Sequence, residues 1–161
     1  MRPATDGGRI ATDVGGVSVK ATAVLELLGG SKSFRGKFET ALDLVDLGEK
    51  GLPKTSLLEL ADFLELSTAQ MARLLPITER TIQRYSRSTR LSRPVSDHLL
   101  KIARMAVRGL EVFGDKEKLL AWLQRSNVAL GRRKPMDLLA STLGIDLVLD
   151  ELGRIEHGLA A

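Results

Sequence analysis

Hydrophobic side chains recur every three to four positions along most of this chain, a period typical of helices that bury one face. The predicted helices cover residues 20–28, 34–45, 55–64, 68–75, 79–86, 93–113, 116–124, 135–143 and 145–156. In the second of these, Phe38, Leu42 and Val45 form the expected apolar face. Between the last two, Gly144 is expected to break the helix. We therefore predict an all-α fold.

Residues 67–87 predict two short helices joined by a tight turn. Ser67 or Thr68 supplies a hydroxyl that caps the first helix, and Pro76 ends it. Thr78 caps the second helix, in which Ile82 faces inward. Two short helices in this order form a helix-turn-helix pattern.

The second of these short helices carries long polar side chains on one face. Arg80, Gln83, Arg84 and Arg87 follow one another at i, i+3, i+4 and i+7. In the major groove, Arg pairs with guanine and Gln with adenine, and the cations also bind phosphates. The alternative interpretation is a solvated basic face in an ordinary helical bundle.

Charge is distributed unevenly, which bears on this choice. The whole chain has 24 Lys and Arg against 20 Asp and Glu, for a formal net charge of +4. Residues 39–65 contain seven acids and two bases, whereas residues 73–108 contain nine bases and two acids. Such a basic block is suited to neutralising phosphates. Its overlap with the two short helices favours nucleic acid as the partner of this region.

Composition narrows the class of protein further. Hydrophobic residues make up 43% of the chain and aromatic residues only 4%, so the core must be mainly aliphatic, as in packed helices. Cysteine is absent, which excludes disulfides and thiolate metal sites. No apolar run approaches the roughly 20 residues that cross a bilayer, and the N-terminus lacks the apolar segment of a signal peptide. We expect a cytoplasmic protein with no membrane contact.

The sequence offers no pattern for catalysis or metal binding. His98 and His157 have no further ligands at the spacing that zinc requires. Gly29 and Gly30 lack the spacing of a phosphate-binding loop, and the serines lack a matching histidine and acid. We predict no enzyme, no metal site and no cofactor.

The two ends of the chain differ in character. Residues 1–19 contain four glycines and no apolar period, which predicts a mobile arm, with DNA contact by Arg2 and Arg9 as the alternative. Residues 145–156 are apolar around more than one side of the predicted helix. A surface for a partner, either a second copy or a different protein, explains this pattern, and an internal core is the alternative.

A series of short motifs runs in order through residues 51–161. The motifs are Gly51-Leu52-Pro53, Glu79-Arg80-Thr81-Ile82-Gln83-Arg84, Arg90-Leu91-Ser92, Ser96-Asp97, Val112-Phe113-Gly114-Asp115, Trp122-Leu123, Asn127, Ala129-Leu130-Gly131, Lys134-Pro135-Met136-Asp137-Leu138-Leu139 and Leu152-Gly153-Arg154-Ile155-Glu156-His157-Gly158. Over this range the chain resembles the Xre/MbcA/ParS-type antitoxins of type II toxin–antitoxin pairs, whose usual partner is a RES-domain toxin. The series in the C-terminal half is more specific than the helix-turn-helix pattern alone.

The resemblance implies three parts: a variable N-terminal region over residues 1–50, a helix-turn-helix DNA-binding domain over 51–90 and a toxin-binding and dimerisation domain over 91–161. It implies a homodimer that represses its own operon by binding operator DNA. It also implies that the protein blocks the active site of a RES toxin that depletes NAD.

Individual residues carry these implied roles. The positions that match the DNA-facing stretch are Arg80, Thr81, Gln83 and Arg84, and Arg87 joins them by helical spacing. The positions that match the toxin-binding motif are Arg154, Glu156, His157 and Gly158.

Two alternatives to these roles stay open. In the first, Arg154 pairs with Asp150 or Glu151 and the motif is an ordinary helix end. In the second, the protein is a stand-alone helix-turn-helix transcriptional regulator with no toxin partner.

Overall fold

The computed structural model describes residues 20–158, and within that range every regular element is a helix. The α-helices are α1 (Ala21–Leu27), α2 (Ala41–Lys50), α3 (Lys54–Phe63), α4 (Thr68–Leu74), α5 (Glu79–Arg84), α6 (Arg93–Phe113), α7 (Lys116–Leu123), α8 (Pro135–Leu138) and α9 (Thr142–Glu156). The predicted all-α fold is therefore confirmed. The predicted arm with Arg2 and Arg9, and the last three residues of the predicted toxin-binding domain, lie outside the described residues.

The helices begin where the sequence offers capping side chains. Ser67 Oγ accepts from the backbone amide of Gln70 at 3.1 Å, and Thr78 Oγ1 accepts from that of Thr81 at 3.1 Å. Ser92 and Asp115 cap α6 and α7 in the same way. Each contact satisfies an amide that the helix itself leaves unpaired.

The long helix α6 is the element around which the others pack. It contacts α1, α2, α7 and α9, and it therefore joins the N-terminal and C-terminal halves of the described chain. Its fully buried apolar side chains are Leu99, Ile102, Ala103, Met105 and Ala106. Gly109 lies under Leu119 of α7, and a Cβ at this position would clash with that leucine. The close approach of α7 to α6 therefore depends on the glycine.

The predicted helix over residues 34–45 begins later than expected. α2 starts at Ala41, because Thr40 and Asp43 form a capping box in which each side chain accepts from the other residue's backbone amide. The backbone amides of Thr40 and Glu39 lower the pKa of Asp43, since they bind its charged form. A capped helix start at this point replaces the longer helix that the apolar period predicts.

The predicted apolar face of this helix is also wrong. Leu42 and Val45 are 73% and 49% exposed, and Phe38 precedes the helix. The buried positions are Leu44 and Leu47, which face α6 on the opposite side of α2. The docking of α2 onto α6 therefore selects a different stripe from the one that the apolar spacing suggests.

The predicted helix break at Gly144 is wrong as well. α8 ends at Leu138, and Ser141 Oγ accepts from the amide of Gly144 at 3.0 Å to begin α9. Gly144 therefore lies in the first turn of α9. A Cβ at this position would clash with the carbonyl oxygen of Leu138, so the glycine allows α8 and α9 to approach each other.

Candidate functional sites

The two short helices α4 and α5 rest on a small apolar contact. Met71 of α4 and Ile82 of α5 are almost completely buried, and Leu74 is 7% exposed. The turn between the helices is closed by the amide of Ile77, which donates to the carbonyl oxygen of Leu75 at 2.8 Å. The outer face of α5 is thus held in place from beneath by aliphatic side chains.

That outer face presents three of the five predicted DNA-contacting side chains. Arg80, Gln83 and Arg84 are exposed on α5, and within residues 20–158 neither arginine forms an ion pair. Gln83 donates from Nε2 to Glu79 Oε1 at 3.2 Å, which orients the amide along the helix. The two arginines have no internal partner and are free to bind phosphates or base edges.

Thr81 and Arg87 are placed differently from these three. Thr81 is half-buried, and its Oγ1 shares a hydrogen bond with Thr78 Oγ1 at 2.8 Å. Arg87 lies past the end of α5, in a turn that the hydroxyls of Ser86 and Thr89 close at 2.9 Å. Arg87 is therefore not on the face of α5 where helical spacing predicts it, although its side chain is exposed.

A clasp between two chain segments fixes the end of α5. We define the clasp as residues 51–55 together with residues 85–91. Lys54 Nζ donates to the Tyr85 carbonyl oxygen at 2.8 Å, and the amide of Leu91 donates to the Leu52 carbonyl oxygen at 2.8 Å. Arg90 donates to the carbonyl oxygen of Gly51 at 2.8 Å. The sequence carries no signal for Lys54 because its partner is 31 positions away.

The basic block of residues 73–108 divides into paired and free cations. Arg93 Nη2 lies 3.5 Å from Glu49 Oε1, and the guanidinium of Arg108 binds the carboxylates of Glu111 and Glu156. Across the described range, the guanidinium groups of the block that are exposed and have neither an ion pair nor a hydrogen bond belong to Arg73, Arg80, Arg84 and Arg87. Within this block, the positive charge available for a polyanion is therefore concentrated on α4, α5 and the turn that follows α5.

A second candidate surface runs along α9. Leu143, Leu147, Asp150, Arg154 and His157 follow at i, i+4, i+7, i+11 and i+14, so they share one face, and all five are exposed. We call this face the α9 strip. Leu143 and Leu147 are 70% and 42% exposed, whereas the opposite face of α9 packs into the core. The helix is apolar on two sides, as its sequence suggests.

The strip includes part of the predicted terminal motif. Arg154 lies on it, with Nε 3.1 Å from Oε2 of the buried Glu151, although the two groups are not aligned as a hydrogen bond. His157 ends the helix on the same face, and Gly158 follows with a φ of 70°. The ion pair between Arg154 and Glu151 that the alternative interpretation expects is thus present in the isolated chain.

Glu156 points away from the strip. Its carboxylate binds the guanidinium of Arg108 on α6, so α9 is held against α6 at this end. The hydrogen bond from Arg108 lowers the pKa of Glu156, because it stabilises the charged carboxylate. The same contact raises the pKa of Arg108. The structure therefore brings Arg154 and His157 together and separates Glu156 from them.

Two further observations concern other functions. Over residues 20–158, the carboxylate and imidazole groups do not form a cluster of three or more that could hold a metal ion. No helix in that same range has both the length and the apolar content that a membrane-spanning helix needs.

Two protein-family profiles match successive parts of the chain. Residues 43–104 match the profile described as an antitoxin Xre-like helix-turn-helix domain. Residues 108–158 match the profile described as the antitoxin Xre/MbcA/ParS C-terminal toxin-binding domain. The first match contains the free cations of α4 and α5, and the second contains the α9 strip.

Two curated proteins are similar to this chain, and both are named antitoxin Xre. The one from Yersinia enterocolitica is 30% identical over 93 residues, which cover 56% of this chain and 63% of that protein. The one from Photorhabdus laumondii is 26% identical over 114 residues, which cover 70% of this chain and 77% of that protein. The chain thus spans less than two thirds of the length of the Yersinia protein.

Proposed function

The chain belongs to the family of Xre-type antitoxins, and from that premise we propose that it neutralises the toxin of a type II toxin–antitoxin pair. The proposed toxin is a RES-domain protein that depletes NAD, and the antitoxin blocks its active site. The observation that carries the proposal is the α9 strip, because exposed leucines lie there within the part of the chain that matches a toxin-binding domain. Exposed apolar side chains in one row are typical of protein interfaces.

The second part of the proposal is that the protein binds operator DNA and represses its own operon. Free cations on α4 and α5, together with Gln83, support a recognition surface for the major groove. Binding as a homodimer would present two such surfaces to successive half-sites of the operator. The proposed DNA-contacting residues are Arg80, Thr81, Gln83, Arg84 and Arg87.

The proposed division of labour follows the chain. In this proposal, residues 51–90 bind DNA, residues 91–161 bind the toxin and a second copy of the chain, and residues 1–50 form the variable N-terminal region of the family. We propose that the protein acts in the cytoplasm and has no catalytic activity of its own. Of the proposed toxin-binding residues, Arg154, His157 and Gly158 are exposed, whereas the carboxylate of Glu156 binds Arg108 and must leave it to contact the toxin.

Neutralisation is tested in cells that express this chain with the RES-domain protein encoded beside its gene. Leu147→Asp places a charge in the middle of the α9 strip and is expected to abolish protection. Leu42→Asp is the matched control, because Leu42 is an equally large, more exposed side chain outside the toxin-binding match. Circular dichroism checks that both variants fold. Survival of cells that carry Leu147→Asp would exclude the strip from the interface.

DNA binding is tested separately by titrating purified protein with its operator at fixed salt. Arg84→Ala and Gln83→Ala are each expected to weaken binding by about 1–3 kcal/mol, the usual cost of one lost base contact. Arg35→Ala is the control, since Arg35 is an exposed arginine outside both family matches. Equal affinities for all three variants would remove α5 from the DNA interface.

A stand-alone transcriptional regulator is the second candidate function. In that case the α9 strip joins two copies of the chain, and Leu147→Asp produces a monomer that no longer binds a two-site operator. Sedimentation of the variant without any toxin separates the two functions. The absence of a RES-domain reading frame beside the gene would favour the regulator.

A further inference from the structure

A loop in the C-terminal half carries a concentrated positive charge and lies outside both groups of proposed contact residues. We define the basic loop as residues 125–134, which contain no acidic side chain. Its cations are Arg125, Arg132, Arg133 and Lys134. All four are exposed, and among the described residues none of them forms an ion pair. The loop lies wholly within the match to the toxin-binding domain.

The basic loop is held in one shape by its own hydrogen bonds. Ser126 Oγ donates to the carbonyl oxygen of Arg132 at 2.6 Å. The backbone amide of Arg132 donates to the carbonyl oxygen of Asn127 at 2.8 Å. The amide of Asn127 donates to the carbonyl oxygen of Arg133 at 3.0 Å. Leu130 anchors the loop in the core. The cations therefore start from fixed backbone positions, which reduces the entropy lost when a partner binds.

The backbone conformation of Arg132 is a second feature that suggests a function for the basic loop. Its φ is 62°, in the left-handed region that side chains other than glycine and asparagine seldom adopt. A long arginine at such a position is strained relative to glycine, and strained residues concentrate at sites of function.

The basic loop packs against the helix that carries the α9 strip. The 3₁₀ helix Val128–Leu130 within the loop contacts α9. Val128 is 81% exposed, so the loop carries an exposed apolar side chain in addition to its cations. Two elements that contact each other thus carry exposed aliphatic side chains and unpaired cations.

We propose that the basic loop binds carboxylates that border the docking site on the toxin. This inference rests on the proposed function and specifies the chemistry of the partner: a protein surface with an apolar centre and an acidic edge. A protein fits better than nucleic acid, because phosphates give no partner to exposed leucine and valine side chains. Charges at the rim of an interface mainly speed association and select the partner.

The test measures binding of the full chain to the purified RES-domain protein encoded beside its gene. The triple variant Arg125→Gln, Arg132→Asn, Arg133→Gln removes three charges, and asparagine tolerates the left-handed backbone. The matched control Lys32→Gln, Arg35→Gln, Lys37→Gln removes three exposed cations outside both family matches. A double variant, Arg125→Gln with Arg133→Gln, leaves position 132 unchanged and is measured in the same way, so that a folding defect at Arg132 cannot decide the result.

We expect the loop variants to raise the Kd for the RES-domain protein about tenfold near 0.1 M salt, mainly through slower association. The Kd of these variants is also expected to depend less on salt concentration than that of wild type. The control variant is expected to stay within about twofold of wild type. Unchanged affinity and salt dependence, with binding still abolished by Leu147→Asp, would overturn the inference and leave the proposed function intact. Loss of affinity for unrelated duplex DNA alone would reassign the loop to nucleic acid. If the wild-type chain does not bind the RES-domain protein, both proposals fail.

Discussion

Lys54 donates a hydrogen bond from Nζ to the carbonyl oxygen of Tyr85, 2.8 Å away, at the point where α5 ends. A cation at this end of a helix satisfies a carbonyl group that the helix leaves unpaired and opposes the helix dipole. The backbone amide of Lys54 donates to the carbonyl oxygen of Thr89, and the backbone amide of Thr55 donates to the carbonyl oxygen of Arg87. The first turn of α3 therefore fixes the end of α5 and the backbone at Arg87, two parts of the proposed DNA-binding surface.

Replacement of Lys54 by methionine keeps the aliphatic stem and removes the donor. The free energy of unfolding is expected to fall by about 1–2 kcal/mol, because the Tyr85 carbonyl loses a charged partner. Operator affinity is expected to fall too, since the end of α5 is no longer fixed. Urea denaturation and operator titration measure the two effects. The control is Lys50→Met, at an exposed lysine with no such contact, and equal behaviour of the two variants would contradict the role of Lys54.

The ion pair between Arg108 and Glu156 makes stability depend on pH. Because Arg108 lowers the pKa of Glu156 in the folded chain, the stabilisation is complete above 4.5, the ordinary pKa of the carboxyl group. It is lost as the pH falls through the lowered value. We expect Glu156→Gln to destabilise the chain at neutral pH, and the difference from wild type to shrink below pH 4.5.

Chemical denaturation of wild type and Glu156→Gln at a series of pH values measures this effect. Glu59→Gln is the control, because Glu59 is exposed and makes no ion pair among residues 20–158. A difference for Glu156→Gln that stays constant down to pH 3 would show that Arg108 does not bind the carboxylate in solution.

A double variant separates the ion pair of Arg154 from its proposed contact with the toxin. Glu151 is buried, and Arg154 is the cation beside its carboxylate. Arg154→Ala is expected to lower the free energy of unfolding by about 2 kcal/mol, because a buried charge loses its partner. Adding Glu151→Gln should restore most of that stability. If Arg154 also contacts the toxin, the double variant stays unable to protect cells, whereas restored protection would limit Arg154 to the ion pair.

The elements that sequence predicts well are those with local causes. α3 to α7 follow from apolar spacing together with caps such as Ser67, Thr78 and Asp115, all of which act within one turn. The capping box of Thr40 and Asp43 is also local, yet the apolar spacing of residues 34–45 conceals it. Which face of α2 is buried depends on how α2 docks onto α6, and no local pattern contains that information.

In the candidate sites, too, features with local causes are predictable from sequence, whereas contacts between distant residues are not. The exposed face of Arg80, Gln83 and Arg84 follows from the helical period, and the structure keeps it. Neither the clasp at Lys54 nor the contact of Glu156 with Arg108 has a local signal, because their partners lie 31 and 48 positions away. The terminal motif is contiguous in sequence, but one turn of helix places its members on different sides of α9.

Gly144 and Gly153 provide a matched pair within α9. A Cβ at Gly144 would clash with the carbonyl oxygen of Leu138, whereas nothing lies within 4 Å of a Cβ at Gly153. Gly144→Ala is therefore expected to cost about 3 kcal/mol, since backbone must move to admit the methyl group. Gly153→Ala is expected to stabilise the chain by about 0.5–1 kcal/mol, because alanine restricts the unfolded chain and favours the helix.

Urea denaturation of the two variants gives both values under the same conditions. Gly144 is next to Leu143, so displacement of the first turn of α9 also moves the start of the α9 strip. Gly144→Ala is accordingly expected to weaken binding to the RES-domain protein, and Gly153→Ala to leave it unchanged. A stabilising effect of Gly144→Ala would mean that α8 and α9 do not approach each other as closely as the structure places them, and that the strip begins elsewhere.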